Sequence, residues 1–432
     1  MPKWIQYFLL IISLIAYILV GYYIERSNFL QLITAYSSLF LIAYILQKNS
    51  NPDNFKVLLL SGILFRFCLI FSIPSLSDDF YRFVWDGRIQ QLGFNPFDFT
   101  PAQIIKQHSD PLLARIFPYL NSPDYYSVYP QVCQIIFKFA SAIGGESLNN
   151  TIIVLKSAIF ISEMGTIFIL KRLLSARINN TSLQLIYILN PLVIIELSGN
   201  IHFEALMIFF MLLAVWLIDH QRYISSAGAL SLAIQAKLLP LIFIPLLFKQ
   251  KGLKRTIKYA IACLIFTIIM SMVLLDSTAR ISHFTESLRL YYGKFEFNGS
   301  FYILFRFIGQ WFLDYNPIAL LSKILIVLAL SGMFWIYLRK FELLNGMFWL
   351  LTIYLAFSAV VHPWYLTPLV ALSALTRLRF ALIWSALIPL SYYTYSNTPY
   401  RESYWLSGME YFFVFGFLIW ELNKPENSQA KS

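Results

Sequence analysis

Three carboxylates and two arginines crowd the stretch Ser77-Asp78-Asp79-Phe80-Tyr81-Arg82-Phe83-Val84-Trp85-Asp86-Gly87-Arg88, in a chain that is otherwise nearly all hydrocarbon. An apolar run, Phe55 to Pro74, comes just before it. Charge at the mouth of a membrane segment is costly unless it faces water or a polar ligand. The spacing predicts a short amphipathic helix on the membrane surface. Ser77 is placed to cap it, and acids suit its first turn because the positive end of the helix dipole attracts them. Phe80, Phe83, Val84 and Gly87 then share one side. Asp79, Arg82 and Asp86 share another, with the acids turned toward water, and Asp78 stands four residues before Arg82, a salt-bridge spacing. Gly93 and Asn95-Pro96 end the run. Adjacent Asp78 and Asp79 point about 100° apart on a helix, so both cannot reach one atom. One can serve as a general base while the other caps, orients or binds a metal. The same pattern also describes an ordinary interfacial helix with a capped start.

Polar groups recur where other apolar runs meet the same face. Asn200-Ile201-His202-Phe203-Glu204 lies in a hairpin too tight to be a free loop; His202 can donate to an anion and Glu204 can orient it. Lys237 interrupts an apolar run, and a charged residue inside a span costs about 2.5–3.5 kcal/mol on insertion scales. It can snorkel to the interface, but a phosphate ligand fits better. His362-Pro363-Trp364-Tyr365 forms another turn, in which a headgroup-level aromatic belt accounts for Trp364 and Tyr365 but not for His362. Arg66, Lys156 and Lys323 also fall in apolar runs and are read as interhelical partners or snorkelling groups. Acids and cations gathered at one membrane face suit one reaction type. A lipid-linked phosphate departs, an acid takes the proton from an attacking hydroxyl, and Lys and His groups steady the growing negative charge. Arg82, Asp86, Arg88, His202, Glu204, Lys237, His362 and Trp364 are the candidate substrate-binding residues, with Asp78 and Asp79 the candidate catalytic acids.

Composition fixes the frame that must hold these groups. Of 432 residues, 58% are hydrophobic and only 13% charged, against about 25% charged in soluble domains. That is a polytopic, all-α membrane protein. The net charge of +11 is not a nucleic-acid signature here, because the basic residues cluster in short loops between apolar runs, as the positive-inside rule describes. Cys68, Cys133 and Cys263 are far apart and show no metal or disulfide spacing. Trp4 to Ile24 reads as a retained anchor.

Apolar runs lie near 4–24, 29–47, 55–74, 151–170, 181–198, 201–218, 223–236, 238–248, 256–275, 317–338, 343–361, 364–376, 380–396 and 408–422, which gives about 12–14 transmembrane helices. The basic loops are Lys171/Arg172/Arg177, the cluster Lys249 to Lys258, Arg339/Lys340 and Arg377/Arg379. Placing them all in the cytoplasm puts both termini inside and two large loops, 75–150 and 277–316, outside. It also makes Tyr126 to Gly144 a juxtamembrane helix and forces 223–248 to go out and back, broken at Lys237 and Pro240 because proline removes a helix donor. The chain is then a single integral-membrane domain over 1–432, with a cytoplasmic tail at 424–432.

The first-loop stretch, with Gly93-Phe94-Asn95-Pro96-Phe97, resembles the signature of bacterial integral-membrane glycosyltransferases of the GT-C fold, the polyprenol-phosphate-mannose-dependent mannosyltransferases above all. Asn190-Pro191, Gly199-Asn200-Ile201-His202-Phe203-Glu204, Ala236-Lys237-Leu238-Leu239-Pro240 and His362-Pro363-Trp364-Tyr365-Leu366 follow in the same order, over roughly residues 55 to 395. The resemblance implies a GT-C-like bundle and inverting transfer of a sugar, a hexose such as mannose, from a polyprenyl-phosphate donor to a lipid or glycan hydroxyl outside the cytoplasm. It implies a first-loop acid as base, Asp78 before Asp79, and no metal or other cofactor. Relatives often carry Asn-x-His-Asn-Asp where this chain has Asn200-Ile201-His202-Phe203-Glu204, which leaves the role of Glu204 open. Membrane lipids and no nucleic acid complete the expected partners. A transporter or flippase of lipid-linked glycans is the competing class; against it stand the absence of matched inverted halves and the concentration of acids at one face. A purely structural membrane subunit is a third reading, disfavoured by Lys237 and the acid cluster.

Overall fold

Every apolar run expected from the sequence falls on helix in the computed structural model, which describes residues 1–424. Pro425 to Ser432, most of the expected tail, lie outside the described residues. No strand occurs among the described residues; two isolated bridges join Phe297 and Asn298 to Val360. Helix starts follow local chemistry. The Asn28 side chain accepts from the Gln31 amide at the head of Phe29–Lys48, and Asn51 and Asn54 form a reciprocal capping box at Pro52–Cys68, which satisfies donors that a helix end otherwise leaves open.

Lys3–Tyr22, Phe29–Lys48, Leu148–Arg177 and Ile318–Leu338 are long and apolar enough to cross a membrane, and a bent pair, Thr181–Ile188 with Pro191–Gly199, makes a fifth. The expected 12–14 spans thus resolve into a few full-length helices and a larger set of shorter, bent or charge-bearing ones. The reason is visible in the sequence. Asn190-Pro191 bends one run by 55°, Lys237 leaves the helical region between Tyr223–Ala236 and a 3₁₀ segment, Leu239–Leu246, and Pro389 lies in the first turn of another 3₁₀ stretch, Ile388–Ser396. Large apolar side chains stay exposed on helix outsides, such as Ile161, Phe412 and Val327, a surface that suits hydrocarbon and not water.

Arg66 and Lys156, buried inside the bundle, have their donors satisfied, as the cost of burying a charge requires. Arg66 meets Glu163 at 2.7 Å with both side chains fully buried, and its remaining donors reach the carbonyls of Gly62 and Ile188. Lys156 donates to the Leu69 carbonyl and Ser72 Oγ. Lys323 is exposed.

Both large loops are helical. The first holds Asp79–Gln91, Pro101–Gln107, Pro111–Ile116 and Gln131–Gly144; the second holds Thr278–Lys294 and Ser300–Gly309. The expected surface helix therefore exists, ending at Gln91 with Gly93 at φ +88°, but its polar face is not turned to water. Asp86 is fully buried and Arg82 nearly so. Gln131–Gly144 covers them, and the approach is close: a Cβ on Gly87 would lie 2.3 Å from the Phe137 carbonyl oxygen.

Candidate active site

Asp78 and Asp79 sit at the head of the Asp79–Gln91 helix and diverge. Asp78 occupies the cap position without capping; the Ser77 hydroxyl accepts from the Asp79 amide instead, at 3.3 Å. The expected Asp78–Arg82 pair does not form. Asp78 pairs with Arg26, from the turn between the first two helices, and Arg82 pairs with Asp86 at 2.8 Å. Asp79 accepts a hydrogen bond from Asn121 Nδ2 at 2.9 Å. It is half-buried. Desolvation pushes its carboxyl above the usual aspartate range, opposed by the Asn121 hydrogen bond and by Lys237, and reinforced by Asp78 and Glu204. Asp79 is thus within electrostatic reach of Lys237 and Glu204, residues more than a hundred positions along the chain.

Lys237 reaches this place because the helix breaks there. Its backbone is extended, its ammonium pairs with Glu204 and lies 4.6 Å from the centroid of the Tyr365 ring. Two contacts dock the break against the first loop: Gln131 N donates to Gln235 Oε1 at 3.2 Å and Cys133 Sγ to the Ala236 carbonyl at 3.2 Å. The hairpin bearing His202 is fixed to the same loop, for Asn200 Oδ1 accepts from the Leu76 amide at 3.0 Å, and Phe203 packs edge-on against Phe83 and Phe137.

The three aromatic candidates form one stack. The Trp364 ring lies 3.7 Å from His202 and 4.4 Å from His362, nearly parallel to both. Phe297 extends the stack beyond His362 at 4.6 Å, held there by backbone hydrogen bonds to Ala359 and Val361. In these turns desolvation, then Lys237, keeps both imidazoles neutral. Among the described residues His202 Nε2 and His362 Nδ1 are buried without a hydrogen-bond partner, which is unusual enough to point to a ligand.

Asp78, Asp79, His202, Glu204, Lys237, His362 and Trp364 thus share one neighbourhood. Arg82, Asp86 and Arg88 are occupied inside the first loop. Arg82 also donates to the carbonyls of Ser122 and Tyr125, and Asp86 accepts from Ser127 and Gln134. Arg88 binds Asp110 at 2.6 Å. These bonds hold the helix that carries the acid pair.

Sequence reasoning missed Glu196. It lies in a π-helical turn, Ile194–Gly199, a geometry frequent at functional sites. Its Oε1 accepts from Tyr36 Oη at 2.7 Å and Tyr392 Oη at 2.8 Å, and its Oε2, otherwise unpartnered, faces His202 Nε2 at 3.6 Å. An acid inside the run 181–198 was the available signal. Arg26 was also missed. Among the described residues no group of three His, Cys, Asp or Glu side chains is placed to hold a metal ion.

A helical multi-pass bundle with acids, a lysine and two histidines gathered beneath helical loops is the architecture of a membrane glycosyltransferase. The chain belongs to the MptA/B family: the family model described as alpha-(1->6)-mannopyranosyltransferase, N-terminal domain, matches residues 17–249, more than half of the chain. A second family model, glycosyltransferase family 87, matches residues 185–363. The two matches together run across Asp78, Asp79, His202, Glu204, Lys237 and His362. No curated protein matches the chain.

Proposed function

We propose that the chain transfers a mannosyl residue from a polyprenyl-phosphate donor to a hydroxyl of a lipid or glycan acceptor, on the extracytoplasmic face and with inversion, Asp79 acting as general base. The observation that carries this reading is that a helix break brings Lys237, paired with Glu204, within electrostatic reach of the carboxylate of Asp79 at the head of the first-loop helix. The acceptor O–H gives its proton to the carboxylate as its oxygen bonds to the anomeric carbon. The bond from that carbon to the phosphate oxygen breaks on the opposite side, and its electron pair leaves with the phosphate. Lys237 supplies positive charge to the departing oxygen, and His202 and His362 offer neutral imidazole N–H donors, worth most where water is excluded. Inversion at a β-linked donor gives the α linkage that the family description names.

Asp79 suits the base role better than Asp78. A general base works best when its pKa approaches the working pH, and burial moves Asp79 in that direction, whereas Asp78 is engaged by Arg26. The test uses purified protein in lipid nanodiscs with a polyprenyl-phosphate-mannose donor and octyl α-mannoside. Asp79→Asn should lose transfer while the folded protein still binds donor. Transfer at the wild-type rate by Asp79→Asn would end the assignment, and movement of donor across the bilayer without transfer would favour a flippase.

A further inference from the structure

Asn298 ties the second large loop to the C-terminal helix, Tyr404–Leu422, and to the residues just before it, through every polar group it has. Its amide donates to Glu402 Oε1 at 2.7 Å. Its side-chain nitrogen donates to both oxygens of Glu410, at 3.2 and 3.0 Å. Its side-chain oxygen accepts from Ser407 Oγ at 3.1 Å, and its carbonyl accepts from Tyr411 Oη. Asn298 is nearly buried and Glu410 fully so. A carboxylate held out of water is costly unless hydrogen-bonded; Asn298 and Trp384 Nε1, at 2.9 Å, supply those bonds to Glu410. The Asn298 backbone sits at φ +48°, a left-handed conformation that asparagine adopts more readily than most residues. Neither family match reaches the C-terminal helix, since they end at residues 249 and 363.

This knot lies one residue from the stack that carries His362. The Phe297 amide donates to the Ala359 carbonyl at 3.0 Å, the Val361 amide donates to the Phe297 carbonyl at 2.7 Å, and the Phe297 ring lies 4.6 Å from His362. The following residues continue the seam. Ser300 Oγ donates to the Ala356 carbonyl at 2.7 Å, and a Cβ on Gly299 would lie 2.7 Å from the Ser358 carbonyl oxygen. The backbone that presents His362 is thus laid along the strip 297–300, and Asn298 fixes that strip to the C-terminal helix.

We propose that Asn298 is a positioning residue for transfer, and that the C-terminal helix, through Ser407, Glu410 and Tyr411, sets where His362 stands. The inference rests on the transferase reading above and adds the C-terminal helix to the machinery.

Full-length protein in nanodiscs is assayed with polyprenyl-phosphate-mannose and octyl α-mannoside, and amide hydrogen exchange at Val361 reads the strip without chemistry. Asn298→Gly keeps the backbone bonds to Glu402 and Tyr411 and removes those of the side chain. It should lower kcat about tenfold, since misplacement by about 1 Å can cost up to about a hundredfold. Donor KM should stay within about twofold, and Val361 exchange should quicken about tenfold. In a His362→Ala background the same change should lower kcat by less than about twofold, because residues acting through one group are not additive. Asn298→Asp should be worse, since it sets a second carboxylate against Glu410. Adding Glu410→Gln should bring kcat back to within about threefold of wild type, the new amide donating to the new carboxylate. This exchanged pair carries the test if Asn298→Gly does not fold. A full tenfold loss in the His362→Ala background, or no recovery in the exchanged pair, overturns the positioning role. Unchanged Val361 exchange in Asn298→Gly overturns it whether or not transfer occurs. If wild-type protein transfers nothing while Val361 exchange follows the variants, the transferase reading fails and the clamp on the His362 turn stands.

Discussion

At the residue scale, the contrast between neighbours Asp78 and Asp79 governs what each variant should do. Loss of a general base costs about 10²–10⁴ in rate, so Asp79→Asn should lower kcat by that factor and Asp78→Asn by much less. The same contrast fixes a pH limb. Asp79 must be ionised to accept a proton, and its pKa lies above the ordinary aspartate value, so kcat/KM should decline with acidification at a higher pH than the ~3.9 of a free aspartate. The stability sign is opposite: a raised folded-state pKa favours the protonated form, and that contribution is lost as pH rises through it. Asp79→Asn should therefore melt no lower than wild type at neutral pH, which separates lost chemistry from lost fold. Glu196 gives a second residue-scale expectation. Glu196→Gln leaves an acceptor for Tyr36 and Tyr392 but removes the charge facing His202. That 3.6 Å contact is longer than a hydrogen bond, so kcat should fall by no more than about tenfold, or ~1.4 kcal/mol, with donor KM unchanged for a positioning role. The acid pair was legible from residue type alone. Which acid is freer was not, because Arg26 and Asn121 approach from distant parts of the chain.

At the element scale, the site depends on two close contacts that sequence spacing does not reveal. The first is the seat of Gly87 on the Phe137 carbonyl. Gly87→Ala must push the Asp79–Gln91 helix away from Gln131–Gly144, and overpacking of this kind costs about 1–3 kcal/mol. Transfer should fall more steeply than the melting temperature, since the acid pair rides on the displaced helix. The second is Arg66, which pairs with Glu163 and donates to the carbonyl of Ile188 just before the Asn190-Pro191 bend. Removing one member of a buried pair costs about 3–5 kcal/mol, so Arg66→Met should lower thermal stability in detergent sharply, and adding Glu163→Leu should recover part of it. Breaks and caps were readable: Lys237 and Pro240, Asn190-Pro191, Gly93. Burial of the polar side of the first-loop helix was not, since Arg82, Asp86 and Gln134 satisfy one another only after two helices pack. A charged stripe reads as a wet face until its partners are known.

At the scale of the whole molecule, the helices themselves measure the distance between chemistry and charge. Glu204–Asp219 begins at the Lys237 pair and ends at Arg177, which binds Asp219 at 2.6 Å and also meets Glu342. At ~1.5 Å per residue its 16 residues span about 24 Å. Tyr223–Ala236 repeats the relation, with Lys251 over Tyr223 at one end and Lys237 at the other. The basic loops around Arg177, Lys251 and Arg339 thus gather at the end opposite Asp79, His202 and His362. The proposed orientation, with the basic end in the cytoplasm and the acid pair on the far side, is the one that positive-inside asymmetry favours. Single-cysteine labelling in a background lacking Cys68, Cys133 and Cys263 tests this directly. Ser396→Cys, exposed beside Tyr395, should react with a membrane-impermeant maleimide on intact cells, and Lys254→Cys, exposed in the basic cluster, only after permeabilisation. The reverse pattern would place the acids in the cytoplasm, where a nucleotide-activated sugar, and not a polyprenyl-phosphate one, would be the expected donor.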